Sequence, residues 1–338
     1  MSLTVLRPGM LSTFQDLGRL GWQHLGVPVA GAMDARAHRL ANLLVGNLDD
    51  TATLEVTLLG PTLRFDSACC VALCGAGFDP TRNGQLAALN RPLVMRTGDV
   101  LALGTRQHGT RAYLAVHGGF ALEPHMGSTS TYLRGQFGGW QGRALQRGDQ
   151  IGLHRPLTAA ALEPLAQALW STRIYLPGAI AQNARRTVRI IRSEQWPDFT
   201  AESCAALITE PFRISADSER MGYRLQGPAL ALAQPRQMIS EATTFGTIQV
   251  PAGGQPIVLM ADRQTTGGYP KIAYVASVDL PLLAQMAPGD VVRFELITLE
   301  RAQQLDAQRE AAFAELRSQL APLRQALLQH PTPQERPT

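Results

Sequence analysis

One short signature occurs twice in this chain. Asp16-Leu17-Gly18-Arg19-Leu20-Gly21-Trp22 and Asp217-Ser218-Glu219-Arg220-Met221-Gly222-Tyr223 hold an acid, an arginine, a glycine and an aromatic at the same spacing. Further landmarks follow each copy in the same order. Glu55 stands five residues before Gly60, and Glu241 five before Gly246. The apolar run 71–73 answers 257–260, and Gly98-Asp99-Val100 answers Gly289-Asp290-Val291. One isolated match would carry no weight, but a whole series in one order points to two diverged copies of a single unit. The copies part near 154–169, where Pro156 and Pro164 interrupt the chain.

Each copy reads as short strands. Apolar or alternating runs at 71–73, 101–103, 112–116, 188–191, 257–260, 272–278 and 291–296 are punctuated by turn residues such as Arg7-Pro8-Gly9, Gly227-Pro228 and Pro288-Gly289-Asp290. Strands this short fit barrels or sandwiches and not a doubly wound α/β sheet. Helical spacing is confined to 33–45, 280–286 and a tail over 299–329, broken at Pro322. The expected fold is mainly β: two tandem β-barrel domains, 1–160 and 170–297, then a C-terminal helical tail, 298–338.

Of the 338 residues 45% are hydrophobic and 17% charged, enough apolar material for two cores and too little charge for a disordered chain. The net charge of +4 is almost all arginine, Lys271 being the only lysine. The basic residues form no stripe, which argues against nucleic acid as a partner. No apolar stretch reaches the length of about eighteen residues that a membrane helix needs. Pro8 and Gly9 break the region where a signal peptide would be apolar, so a cytoplasmic location is expected. Cys69, Cys70 and Cys74 read as core thiols of one strand. Neither they nor His117 and His125 have ligand spacing, so no metal site is expected.

Three regions carry chemistry. A carboxylate can hold a guanidinium in a planar two-bond clamp, so Asp16 with Arg19, and Asp217 with Arg220, either pin turns or line a ligand groove. Glu55 and Glu241 are each either a base or a partner for an arginine. The second copy then has a denser stretch, Asp262-Arg263-Gln264-Thr265-Thr266-Gly267-Gly268-Tyr269-Pro270-Lys271, against Gly75-Ala76-Gly77-Phe78-Asp79-Pro80 in the first. Its paired glycines can present backbone N–H groups to an anion, although it is not a GxxxxGK[ST] phosphate loop. From it we expect a catalytic set of Asp262, Arg263, Lys271 and Glu241. The expected binding set is Gln264, Thr265, Thr266, Gly267, Gly268 and Tyr269, with Asp217 and Arg220. The third region, the Gly-rich insertion 127–140, has no counterpart in the second copy. It is either a functional or partner-binding loop, or a mobile surface loop.

Taken together, several motifs resemble the biotin-dependent carboxyltransferase-like family, also called allophanate hydrolase subunit 2. They are Val5-Leu6-Arg7-Pro8-Gly9, Thr13-Phe14-Gln15-Asp16-Leu17-Gly18-Arg19, Glu55 to Gly60-Pro61, Gly127-Ser128 with Ser130-Thr131, and 262–270. His117 stands where a smaller residue is expected. The resemblance implies cyclophilin-like barrels for both domains. It also implies one subunit of an ATP-dependent 5-oxoprolinase that opens 5-oxo-L-proline to L-glutamate beside an A-type and a B-type (KipI-like) subunit, ATP being required by the reaction as a whole. Two alternatives come with it: carboxyl transfer from biotin to urea or a related amide, and non-catalytic regulation of a sensor kinase through a B-type partner. The chain has no biotin-attachment Met-Lys-Met, so biotin enters only under the first alternative, carried by another protein.

Overall fold

Alternation of apolar and polar residues becomes sheet throughout the molecule. In Val291–Leu296 it buries Val292 and Phe294 and exposes Arg293 and Glu295. The structure, a computed structural model, describes residues 1–171, 174–181, 185, 187–234 and 238–328.

The chain groups into two compact units that do not follow a single cut in the sequence. The first holds Met1–Gly18, Asp34–Ile180 and the tail from Phe313; the second holds Arg19–Met33 and Ala181–Ala312. The segment Arg19–Met33, expected within the first domain, therefore joins the second unit. Packing gives the reason: Met33 is fully buried in the second unit's core, and Arg220 donates to the Gly31 carbonyl at 2.7 Å. The helical tail, expected as a separate piece, is shared in the same way. Its break falls at Leu320, between helices Leu299–Gln319 and Ala321–Leu328, two residues before Pro322, which lies in the first turn of the last helix. Within the first unit Phe313 lies under the Arg39 guanidinium, 4.1 Å from its ring centroid.

The first unit builds two sheets around one core. One runs in the order Gln150–Gly152, Ser2–Arg7, Thr62–Phe65, Val100–Ala102, Thr81–Arg82, Gln85–Leu86; the other runs Leu11–Gln15, Thr53–Thr57, Arg106–Val116, Cys69–Phe78, Pro92–Met95. Val5, Leu63 and Leu101 from the first sheet join Phe14, Leu54, Val71 and Leu114 from the second in a single buried cluster. Helix Ala35–Leu44 is capped by Asp34, whose carboxylate accepts from Ala37 N at 2.8 Å.

Closure is complete in the second unit. A seven-strand barrel runs Thr187–Arg192, Lys271–Val275, Thr247–Gln249, Ile257–Leu259, Gly222–Gln226, Phe212–Ile214, Val291–Leu296. Thr187–Arg192 and Val291–Leu296 pair in parallel and seal the ring, which leaves the barrel no free edge. Ile190, Phe212, Ile248, Met260 and Phe294 fill it. Outside the ring, Glu241–Ala242 pairs with Thr266–Gly267 as a two-stranded ribbon.

Two elements depart from the sequence reading. Ala159–Ser171, read as an interrupted connection, is a helix with Pro164 inside it, and Ala201–Thr209 is a second helix, capped by Thr200. Runs of alanine and leucine outweigh the single proline in the first case. The strand expected over 272–278 stops at Val275, because Ser277–Asp279 turns into helix Leu280–Ala284. No helix among the described residues is long and apolar enough to cross a membrane.

Candidate functional site

Barrel register brings Gln249 and Lys271 face to face on neighbouring strands, beside a bulge after Ile248. The Lys271 backbone is held at both ends. Its N–H donates to Gln195 Oε1 at 2.7 Å, and its carbonyl accepts from the Ser193 hydroxyl at 2.5 Å. The buried ammonium donates to Glu241 Oε2 and to the Ala242 carbonyl, both at 2.9 Å. Glu241 belongs to the ribbon opposite Gly267 and keeps its side chain 52% exposed, so one end of this ion pair is open to solvent.

The ribbon is fastened to the loop that precedes it. Thr243 donates through its hydroxyl to the Gln264 carbonyl and through its N–H to the Thr265 carbonyl. Gln264 Nε2 in turn donates to Gln249 Oε1 at 3.4 Å. Gln264, Gly267 and Lys271 thus meet Gln249, which the sequence reading missed. The available sign was a glutamine set between Ile248 and Val250 in an otherwise apolar strand. Thr266 and Gly268 are exposed and Tyr269 is half exposed, on the outer side of the same segment.

Arg263 is half-buried, and no ion pair engages it among the described residues. Its Nη1 reaches the Met260 carbonyl only at 3.4 Å, and its Nε has no hydrogen-bond partner there. Burial pulls its pKa down to about 10, against the opposing pull of the Asp262 charge, so it remains a cation at neutral pH. Phe245 lies 5.9 Å from the guanidinium.

Asp262, expected in the catalytic set, is clamped by an arginine. Both its oxygens are held by Arg220, Oδ2 by Nε and Oδ1 by Nη2, each at 2.9 Å, and both residues are buried. Arg220 also donates to the Gly31 carbonyl, so this clamp ties residues 31, 220 and 262 together. Asp217 is exposed and lies outside the cluster. The second copy's Asp-x-x-Arg spacing therefore does not make a clamp with itself; its arginine finds an acid 42 positions away.

The first copy uses the same residues otherwise. Asp16 accepts from Gly18 N and Ser128 Oγ at 2.7 Å, from Thr129 N at 2.6 Å and from Ser130 Oγ at 2.5 Å. Burial alone would raise its pKa, but the bonds from Ser130 and Ser128, with those from Gly18 and Thr129, outweigh it and hold the carboxyl below its ordinary value. The insertion 127–140 is therefore anchored: Ser128, Ser130 and Thr131 are buried, and Thr131 N donates to the Phe14 carbonyl at 2.9 Å. Arg19, three residues after Asp16, is almost wholly buried and belongs to the second unit. Glu55 is sealed in the first unit's core, where Tyr113 donates to it at 2.8 Å and Arg111 lies 3.8 Å away. Cys69, Cys70 and Cys74 are buried, and burial pushes the Cys70 thiol up to about 12.

Comparison with known proteins gives this arrangement a context. The carboxyltransferase domain, subdomain A and B, matches residues 25–296. The chain is 38% identical over 315 residues to the C-type subunit of 5-oxoprolinase from Escherichia coli, covering 93% of this chain and 97% of that protein. It is likewise 38% identical to the C-type subunit of 5-oxoprolinase from Haemophilus influenzae, covering 90% of this chain and 94% of that protein. The crystal structure of the Kluyveromyces lactis urea amidolyase superposes with a TM-score of 0.84 at 28% identity, covering 93% of this chain and 20% of that one.

Proposed function

The chain belongs to the carboxyltransferase subdomain A and B family, and from that premise we propose that it is the C-type subunit of an ATP-dependent 5-oxoprolinase, opening 5-oxo-L-proline to L-glutamate in the cytoplasm. One observation carries the reading: the likeness to the E. coli C-type subunit runs over 97% of that protein's length, so almost all of it has a counterpart here. Such a subunit works with others, and the proposed partners are an A-type and a B-type (KipI-like) subunit.

A lactam carbonyl is resonance-stabilised and resists water. ATP supplies a phosphoryl group that activates the carbonyl oxygen, so that water can add, the C–N bond break and phosphate depart. Negative charge develops on oxygen along this path, and cations and donors aimed at it lower the barrier. The cluster around 262–271 has that character. Arg263, a cation without an anionic partner among the described residues, suits the substrate's carboxylate. Lys271, aligned by Glu241, suits the developing oxyanion, and Glu241 has the solvent access that proton exchange requires. Asp262 and Arg220 hold the loop that presents them. Gly267 and Gly268 keep its backbone open to a ligand, and Gln264, Thr265, Thr266 and Tyr269 complete its lining.

A second reading is favoured by the superposition on the urea amidolyase: carboxyl transfer from biotin, carried by another protein, to urea or a related amide. Co-expression separates the two. The chain is purified with the A- and B-type subunits, and glutamate release from 5-oxo-L-proline is measured with and without ATP. ATP-dependent release supports the first reading. Its absence from the full complex, together with carboxylation of urea by a biotinylated carrier, would establish the second.

A further inference from the structure

The first unit has a cleft where its two sheets come to an end. Gln85–Leu86 is the last strand of one sheet and Pro92–Met95 the last strand of the other. Asn83 and Gly84, both at positive φ, make the tight turn that returns Gln85 beside Arg82. Helix Ala159–Ser171 adds a further wall through Ala166 and Leu169. The cleft holds about 380 Å3, a volume that suits a small organic molecule. Eight of its eleven described lining residues are apolar, Leu86, Leu93 and Leu169 among them; the other three are Arg82, Gln85 and Arg91. The cleft is thus apolar and positively charged, with no carboxylate among the described residues that line it. Arg82 is half-buried and held in place: its Nη1 donates to the Val94 carbonyl at 2.9 Å. Arg91 donates to the Leu169 carbonyl, in the last turn of the helix, at 3.3 Å. A carbonyl orients a guanidinium without cancelling its charge and leaves further N–H groups for an anion. Glu163, on the same helix, is already paired with Arg96 at 3.2 Å.

We propose that this cleft binds a small organic carboxylate, with its carboxylate on Arg82 and its apolar body against Leu93 and Leu169. Charge and lining select the ligand class together. The planar guanidinium fork matches a carboxylate. The apolar walls disfavour a bare inorganic anion, which would give up water there without gaining a partner. A ligand with its own ammonium would bring it towards guanidinium groups, with no acid to receive it. All the described lining residues belong to the first unit, whereas 262–271 belongs to the second. The cleft is therefore a site additional to the proposed substrate loop, and it stands whichever reaction the chain serves.

Ligand-observed NMR titration of the purified full chain tests it, with benzoate as the probe. Benzoate should bind with a Kd of about 1 mM. Benzamide, which lacks the charge, and inorganic phosphate, which lacks the apolar body, should each bind about tenfold more weakly or worse. Arg82→Met should weaken benzoate about tenfold. Ala88→Trp, at an exposed lining position, fills the cleft with both arginines in place and should weaken it comparably, so the test survives if Arg82→Met fails to fold. Arg263→Ala should bind benzoate like the native chain, because that guanidinium belongs to the other unit. No benzoate binding by the native chain, or benzamide or phosphate binding as well as benzoate, overturns the inference. So does native affinity in Ala88→Trp, or a loss of benzoate binding in Arg263→Ala, which would move the carboxylate to the loop 262–271.

Discussion

Glu55 and Glu241 hold the same place in the two sequence copies and have opposite surroundings. Glu55 is closed into the core of the first unit with Tyr113 and Arg111. Glu241 lies half exposed on a ribbon and pairs with the buried Lys271. The two aspartates diverge as well: Asp16 is enclosed by Ser128, Thr129 and Ser130, whereas Asp217 faces solvent. In the first copy each acid is matched from within. Buried polar atoms without partners among the described residues occur in both, at Gln15 and Thr131 in the first and at Arg263 and Gln249 in the second, and of these four only Arg263 is a cation. Duplicated positions thus take different surroundings in the two copies, and Arg263, a cation without an ion pair among the described residues, is the group proposed to meet the substrate.

The largest break in this comparison should come from Asp262→Ala. It leaves Arg220 buried without its acid and should cost about 3–5 kcal/mol in chemical denaturation, with activity lost in proportion to folded protein. Lys271→Ala should act on chemistry instead. Its partner Glu241 can turn to water, so melting should change little, while glutamate release from the complex should fall about a hundredfold.

Asp16→Ala addresses the first copy. Losing the anchor of the insertion should cost about 2 kcal/mol and speed hydrogen exchange over 127–131. This stabilisation has a pH window. The folded carboxyl titrates below its ordinary value of 3.8, so the stabilisation is fully present above that pH and disappears as pH falls through the lower folded value. The stability gap between native protein and Asp16→Ala should therefore close in acid. Asp217→Ala, at the exposed counterpart, should shift stability by less than about 0.5 kcal/mol and leave turnover intact.

Local pattern reached some of this and long-range contact the rest. Alternation in Val291–Leu296 defines a strand whose bounds the structure reproduces, and the donor-dense segment 262–271 contains Gln264, which meets Gln249. The partners of the repeated acid and arginine were not legible. Asp16 meets Ser128 across 112 positions and Arg220 meets Asp262 across 42, so three-residue spacing suggested clamps that tertiary packing placed elsewhere. Gln249 was missed because its contacts, with Gln264 and with a glycine 18 positions later, are tertiary, and no period or motif encodes them. The sharing of Arg19–Met33 with the second unit was hidden for a similar reason: it depends on Met33 entering a core built mostly from residues beyond 187.

The proposal that the second copy, and not the first, meets the substrate is tested most directly by Arg263→Ala in the reconstituted complex. The guanidinium has no protein anion to lose among the described residues, so the full chain should melt at or above the native temperature. ATP-dependent glutamate release at subsaturating 5-oxo-L-proline should nevertheless fall about a hundredfold. Native turnover in Arg263→Ala, or a loss of turnover that only follows a loss of folded protein, would contradict the account.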